Sequence, residues 1–206
     1  DVVGVIGPSG AGKTTLARVL ANAAVARSGA VRLDGARYSD WDEEALAQHI
    51  GYLPQRIELF DGTVAENIAS FAPKSAEDSE AIGEKVVAAA IQAGAHDLIL
   101  RLPRGYETEL GPSGAGISPG QAQRIALARA LFNEPCLVIL DEPNSHLDQD
   151  GETALASAIE SVRARKGVAI VIAHRAGIIS IVDKLLVMRD GRIVEYGPRQ
   201  AVLAKL

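Results

Sequence analysis

Hydrophobic positions along the chain fall into short continuous runs separated by longer stretches with helical spacing, and this alternation predicts the element order. Val2-Val3-Gly4-Val5-Ile6 is apolar throughout and predicts a buried strand; Leu16-Ala17-Arg18-Val19-Leu20 then opens a helical pattern. Ala30–Gly35 predicts a short strand ending in a turn, and Trp41–His49 a helix with Asp40 as its cap. Ile50–Gln55 predicts a strand that Pro54 ends. Thr63 and Glu66 stand at capping-box spacing at the head of a helix over Thr63–Ile68. Residues 71–79 are polar and proline-containing, with the weakest regular signal; helical spacing resumes over about 80–101, and Gly105–Gly116 reads as loop.

The second half repeats the alternation. It predicts a helix at about 119–132, strand Cys136–Leu140, a helix at about 150–165, strand Val168–Ala173 and a helix at about 176–182. Leu185–Arg189 and Arg192–Glu195 flank Asp190-Gly191, the signal of a type I′ hairpin. Apolar strands alternating with helices imply an α/β core with a mostly parallel sheet covered by helices on both faces. Helices concentrated between about 62 and 132 imply a helical insertion in that core. No internal repeat is visible.

Composition narrows the class. The 206 residues are 48% hydrophobic and 23% charged, which suits one soluble globular domain with a sizeable core. No run approaches the roughly 18 apolar residues that would span a bilayer, and no signal peptide precedes the first strand. A net charge of −5 argues against a generic nucleic-acid coat. Cys136 is the single cysteine, so no internal disulfide can form; within an apolar strand it is expected to be a small core residue. Because the chain opens on a core strand at Asp1, it is expected to be a piece of a longer polypeptide.

Chemistry concentrates first at Gly7-Pro8-Ser9-Gly10-Ala11-Gly12-Lys13-Thr14-Thr15. These residues fit G-x-x-x-x-G-K-[ST] and stand between a predicted strand and a predicted helix, the context that a nucleoside-triphosphate site requires. Three glycines let the backbone wrap so that N–H groups converge on phosphate oxygens, and the helix adds the positive end of its dipole. Lys13 is then expected to reach the β- and γ-phosphates and Thr14 to place its hydroxyl on Mg²⁺. Thr15 contacts the α-phosphate or packs in the first helical turn. Asp141 and Glu142 end the apolar strand beginning at Cys136; at a strand's carboxyl end, Asp141 suits Mg²⁺ and Glu142 suits polarising an attacking water as general base.

A third motif, Ile117-Ser118-Pro119-Gly120-Gln121, has an N-cap serine, proline at the first helical position and glutamine at capping-box spacing. It is complete as a helix start, yet it also offers a hydroxyl and a glycine N–H to an anion. Taken in order with Gly7–Thr15, Gln55, Leu137–Glu142, Asn144-Ser145-His146-Leu147-Asp148 and His174, it makes the whole chain resemble an ATP-binding cassette (ABC) ATPase. That resemblance implies a P-loop NTPase core with an inserted helical subdomain at about 62–132. It also implies ATP and Mg²⁺ as ligands and two shared sites in a head-to-tail dimer. Residue by residue, it implies that Gln55 contacts Mg²⁺ and water, and that Ser118, Gly120 and Gln121 close over ATP held by the other copy. It further implies that Asp148 communicates across the dimer and His174 contacts the γ-phosphate. His49, His96 and His146 match no motif and read as structural or solvated.

Two features depart from the family pattern. The signature's third position, usually glycine, is Pro119, which the first helical position tolerates. The adenine-stacking aromatic of that family precedes the phosphate loop, so adenine recognition is expected to be crippled or to use residues outside this chain.

Finer resemblances point to exporters. Phe60–Ile68 and Leu102–Thr108 are similar to ATPases fused behind a membrane domain. Trp41-Asp42, Gly51–Gln55, Asp141–Ser145 and Ala173-His174-Arg175 are similar to bacterial type I protein-secretion exporters of the protease/lipase kind. This implies work at the cytoplasmic face of the inner membrane with a transmembrane domain, a periplasmic adaptor and an outer-membrane channel. Gly111–Gly116 stands where the family's X-loop meets the membrane domain, with a sequence unlike the commoner charged version. An exporter of lipid, peptide or drug is the nearest alternative. A DNA-acting ABC ATPase would carry a coiled coil between Lys13 and Ser118, a GTPase would show Asn-Lys-x-Asp, and a non-hydrolysing module would lack Glu142.

Overall fold

A computed structural model of the chain describes residues 1–71, 79–111, 114, 116–173 and 175–206. Its centre is a six-stranded sheet made by β1 (Val2–Ile6), β4 (Ile50–Leu53), β7 (Leu137–Asp141), β8 (Val168–Ile172), β9 (Lys184–Arg189) and β10 (Arg192–Pro198), in the order β10-β9-β1-β8-β7-β4. All neighbours pair in parallel except β10, which returns antiparallel along β9 and leaves an edge. The Asp190-Gly191 turn has positive φ at both residues, 51° and 74°, as a type I′ hairpin needs.

The continuous apolar runs are explained by burial on both faces. In β7 every residue is buried, with Val138 and Leu140 entering one apolar cluster and Leu137 and Ile139 the other. The smaller cluster packs β1 and β8 against α1 (Lys13–Leu20) through Val5, Ala17 and Ile172. The larger lies under α3 (Val64–Ile68), α4 (Ser79–Gln92), α5 (His96–Leu100), α6 (Pro119–Leu131) and α7 (Gln149–Ala164). Here α6 packs on α3, α4 and β4, joining the helices to the sheet. The capping boxes expected at Thr63–Glu66 and Ser118–Gln121 both form.

Several local expectations are corrected. Ala30–Gly35 is not one strand: β2 (Arg32–Leu33) and β3 (Ala36–Arg37) make a small hairpin about Asp34-Gly35. The cap of α2 (Glu43–His49) is Asp42, which accepts from Ala45 N at 3.0 Å, whereas Asp40 closes a preceding 3₁₀ turn over Tyr38–Asp40. The helical stretch at 80–101 breaks at Gly94, whose φ of +61° ends α4 before α5 begins. The stretch expected as loop holds a 3₁₀ turn over Gly105–Glu107 and β6 (Glu109–Leu110), which pairs with β5 (Gly62–Thr63); residues 112, 113 and 115 of the Gly111–Gly116 segment lie outside the described residues. Cys136, expected in the core, is exposed and stands one residue before β7. Helix α8 (Ala176–Ile181) lies where spacing predicts, and a short α9 (Arg199–Leu203) follows β10. Among the described residues no helix is long and apolar enough to cross a membrane.

Candidate nucleotide site

Strand register gathers the expected site residues at one end of the sheet. Val5 of β1 and Asp141 of β7 both pair with Ile172 of β8, so the residues after β1, β7 and β8 leave the sheet side by side. Leu53 of β4 pairs with Leu140, which brings Gln55, two residues on and exposed, to the same end. This carboxyl edge is where open α/β sheets bind ligands.

The phosphate loop is an open cradle. Gly7, Gly10 and Gly12 have φ of +151°, +79° and +94°, and Gly12 starts α1 without any side-chain cap. The first turn of α1 has no acidic residue, so its N–H groups and dipole face outward unopposed. Pro8, Ser9, Gly10, Thr14 and Thr15 are exposed while Ala11 and Lys13 are buried. Lys13 Nζ donates to the carbonyls of Gly7 and Pro8, each at 2.9 Å, so the ammonium waits inside its own loop. The β9–β10 hairpin supports the loop from behind: Gly191 N donates to Ala11 O at 3.1 Å. A Cβ on Gly7 would fall 2.2 Å from Met188 O, so no other residue fits there without moving the hairpin.

Asp141 is buried at the end of β7. Burial and then the Asp141 charge push the Tyr52 phenol up from its ordinary value, with Arg18 of α1 opposing; α1, β4 and β7 thus share one electrostatic environment. Glu142 is half-buried and adopts a left-handed φ of +52°. Its N–H donates to Ile172 O at 3.0 Å and its carbonyl accepts from Ser145 N at 3.3 Å, which pins the turn from both sides. A non-glycine residue there costs about 1–2 kcal/mol, a strain typical of functional turns.

Among the described residues no group of three His, Cys, Asp or Glu side chains gathers to hold a metal. Thr14, Gln55 and Asp141 offer a hydroxyl, an amide and one carboxylate, an oxygen set that suits Mg²⁺ keeping waters of its own and ligand phosphates. His174 lies outside the described residues. Its neighbour Arg175 pairs with Glu152 of α7.

The signature residues form a second, separate concavity. Ser118 Oγ accepts from Gln121 N at 3.3 Å, and Gln121 Oε1 accepts from Ser118 N at 2.8 Å. They line a cleft of about 390 Å³ with Gly120, Arg124, His146 and Asp148, and no residue of the phosphate loop reaches it. Asp148 caps α7 by accepting from Gly151 N at 2.8 Å and pairs with Arg124. The Gly151 N–H, with Arg124 beside it, holds the Asp148 carboxyl below its ordinary value. His96 bonds the Tyr106 hydroxyl at 2.9 Å and His49 meets Trp41 edge-on, both structural roles.

Three contributors were not anticipated: the β9–β10 buttress, Gln123 and Arg124. The last two lie three and four residues after Gly120 on α6, a spacing that places them on one helix face. That spacing was the signal available in the sequence.

A family model described as ABC transporter matches residues 1–145. The type I secretion system ATP-binding protein PrsD of Rhizobium meliloti is 53% identical over 204 residues, 99% of this chain and 34% of that protein. ATP-binding cassette sub-family B member 6 of Mus musculus is 41% identical over 205 residues, 100% of this chain and 24% of that protein. The structure of a bacterial Atm1-family ABC exporter with ATP bound superposes with a TM-score of 0.85 at 36% identity, over 99% of this chain and 35% of that one. The chain thus spans about a third or less of the relatives it matches.

Proposed function

This chain belongs to the ABC transporter family, with the fold of an exporter's ATP-binding domain, and we propose that it is the ATP-hydrolysing motor of an exporter. The observation that carries this reading is the division of the site. A glycine cradle and Asp141–Glu142 share one sheet edge, while Ser118–Gln121 stand in a cleft that lacks a phosphate loop. Two copies related head to tail supply each cradle with a signature.

Each residue then has a task. Lys13 leaves the carbonyls of Gly7 and Pro8 for the β- and γ-phosphates, and Gly7–Thr15 wraps the triphosphate with backbone N–H groups. Thr14, Gln55 and Asp141 would hold Mg²⁺, which would supply neutralisation of phosphate charge. Glu142 accepts a proton from the attacking water, and His174 orients on the γ-phosphate. Ser118, Gly120 and Gln121 close over the partner copy's ATP, with Asp148 beside them at the junction. Most of the rate gain comes from positioning and electrostatics.

The helices between about 62 and 132 serve as the subdomain that carries the signature. A transmembrane domain is the partner this reading requires, as in the longer exporters that the chain matches. Type I protein secretion from the cytoplasmic face of a bacterial inner membrane, with a periplasmic adaptor and outer-membrane channel, is favoured by the 53% identity to PrsD. The sub-family B relative keeps a lipid, peptide or drug exporter as the second reading.

Light scattering of the Glu142→Gln protein tests the motor directly. Mass that doubles only with Mg-ATP is the expected result. A protein that binds no ATP would remove the functional reading and leave the fold.

A further inference from the structure

Gln123 is one of the few buried polar side chains among the described residues, 2% exposed, and it belongs to no motif of the nucleotide site. It lies on α6 one turn beyond Gly120 and faces the loop that follows Glu142. Its amide nitrogen donates to Pro143 O, the carbonyl next to Glu142. A carbonyl only accepts, so the amide oxygen faces the other way. There it meets Ser145 Oγ at 3.4 Å and His146 Nδ1 at 3.2 Å, and those two groups are 3.0 Å from one another.

Further contacts run between the same two segments. A Cβ on Gly120 would stand 3.1 Å from His146 O, so the start of α6 lies close against the loop backbone. Arg124, the next residue of α6, pairs with Asp148 at the loop's end and also donates to Gly94 O at 3.3 Å. Glu142 itself is tied on its other side to β8 through Ile172 O. The loop from Glu142 to Asp148 is therefore clamped between the sheet and the signature helix, with the Gln123 amide at its centre.

We propose that Gln123 is a positioning residue that links the two ATP sites: it joins the signature helix, which acts on the partner's ATP, to the turn that aims Glu142 at the chain's own ATP. This rests on the shared-site reading above. A buried amide with both ends bonded is suited to the task. Shifting α6 without shifting the loop would break the bond to Pro143 O and leave the buried Gln123 amide short of a partner, at a cost in free energy. The helix and the Glu142 turn then move as one body when the partner's γ-phosphate is gripped. Apolar packing at this position would hold the helix against the loop without fixing its register.

Gln123→Met keeps the length and bulk of the side chain and removes the amide. In the full-length protein, we expect Mg-ATP affinity within about twofold of wild type. The turnover number should fall ~10- to 100-fold, as for a catalytic group displaced by a fraction of an ångström. The Hill coefficient for ATP should drop to about 1, because the sites no longer sense one another. A merely structural role would lower the melting temperature and leave the Hill coefficient where it was, and that outcome overturns the proposal. If Gln123→Met does not fold, the double variant Ser145→Ala/His146→Ala removes both partners of the amide oxygen from exposed positions. A reduced Hill coefficient in that variant supports the link, and an unchanged one overturns it. A wild-type protein that binds Mg-ATP and hydrolyses it without cooperativity overturns the link alone; one that never binds ATP overturns the motor reading with it.

Discussion

The helix starts at Gly12-Lys13 and at Ser118-Pro119 solve the same problem in opposite ways. Every helix begins with N–H groups that have no partner in the helix. At α1 the preceding residue is a glycine with no side chain to offer, the first turn carries no acid, and a buried lysine waits alongside. At α6 the start is self-satisfied: serine and glutamine cap one another, and proline has no N–H to leave unpaired. The first therefore presents a nearly complete anion site, while the second keeps the Ser118 hydroxyl proton, the Gly120 N–H and the Gln121 side-chain amide N–H groups for use. A site that holds its ligand alone needs open donors. One that closes over a ligand held elsewhere can be stable by itself and contribute at the end.

Four substitutions separate these two regions, beginning with the largest effect. Glu142→Gln removes the proposed proton acceptor and leaves the cradle intact. Single-turnover assays should find hydrolysis slowed ~10²- to 10⁴-fold with ATP affinity unchanged. Turnover at the wild-type rate would take Glu142 out of the base role. Lys13→Ala acts on the cradle itself, removing a charged contact to phosphate and weakening Mg-ATP binding by ~10- to 100-fold in a direct titration. Binding that survives undiminished would count against α1 as the ATP site.

Ser118→Ala should behave differently from both. Loss of the cap costs about 1 kcal/mol of stability in denaturant melts. ATP affinity in a single copy is expected to stay as it was, while ATP-driven doubling of mass in a Glu142→Gln background disappears. Equal loss of single-copy binding would erase the distinction between the two helix starts. The smallest effect concerns Asp148. Its folded pKa is lowered, first by the Gly151 N–H and then by Arg124, so its ionised form stabilises the fold. That stabilisation is complete above the ordinary carboxylate range and is lost as pH falls through the lowered value. The melting temperature of Asp148→Asn should lie below wild type near neutrality and converge with it in acid. Parallel curves across the range would show that the carboxylate's charge is irrelevant.

The phosphate loop, the Asp141–Glu142 strand end and the Ser118 cap were legible because each is a run of adjacent residues whose spacing carries its own geometry. Asp40 and Asp42 satisfy the same local rule for capping α2, and only the bond from Ala45 N to Asp42 decides between them. Cys136 adjoins an apolar run, which points to the core, yet it stands just before β7 and is exposed. Gly94 interrupts a helix that apolar spacing carries straight through.

By itself, the amino-acid sequence determined the alternating α/β plan, the phosphate loop and the order of the motifs, since these depend on local chemistry and on distances along the chain. Only the tertiary structure decided which ends of which strands stand together, that the β9–β10 hairpin lies behind Gly7, and that Gln123 joins the signature helix to the Glu142 turn. Those contacts join residues far apart in the chain. They follow from strand order and packing in a filled core, which no single stretch of sequence encodes.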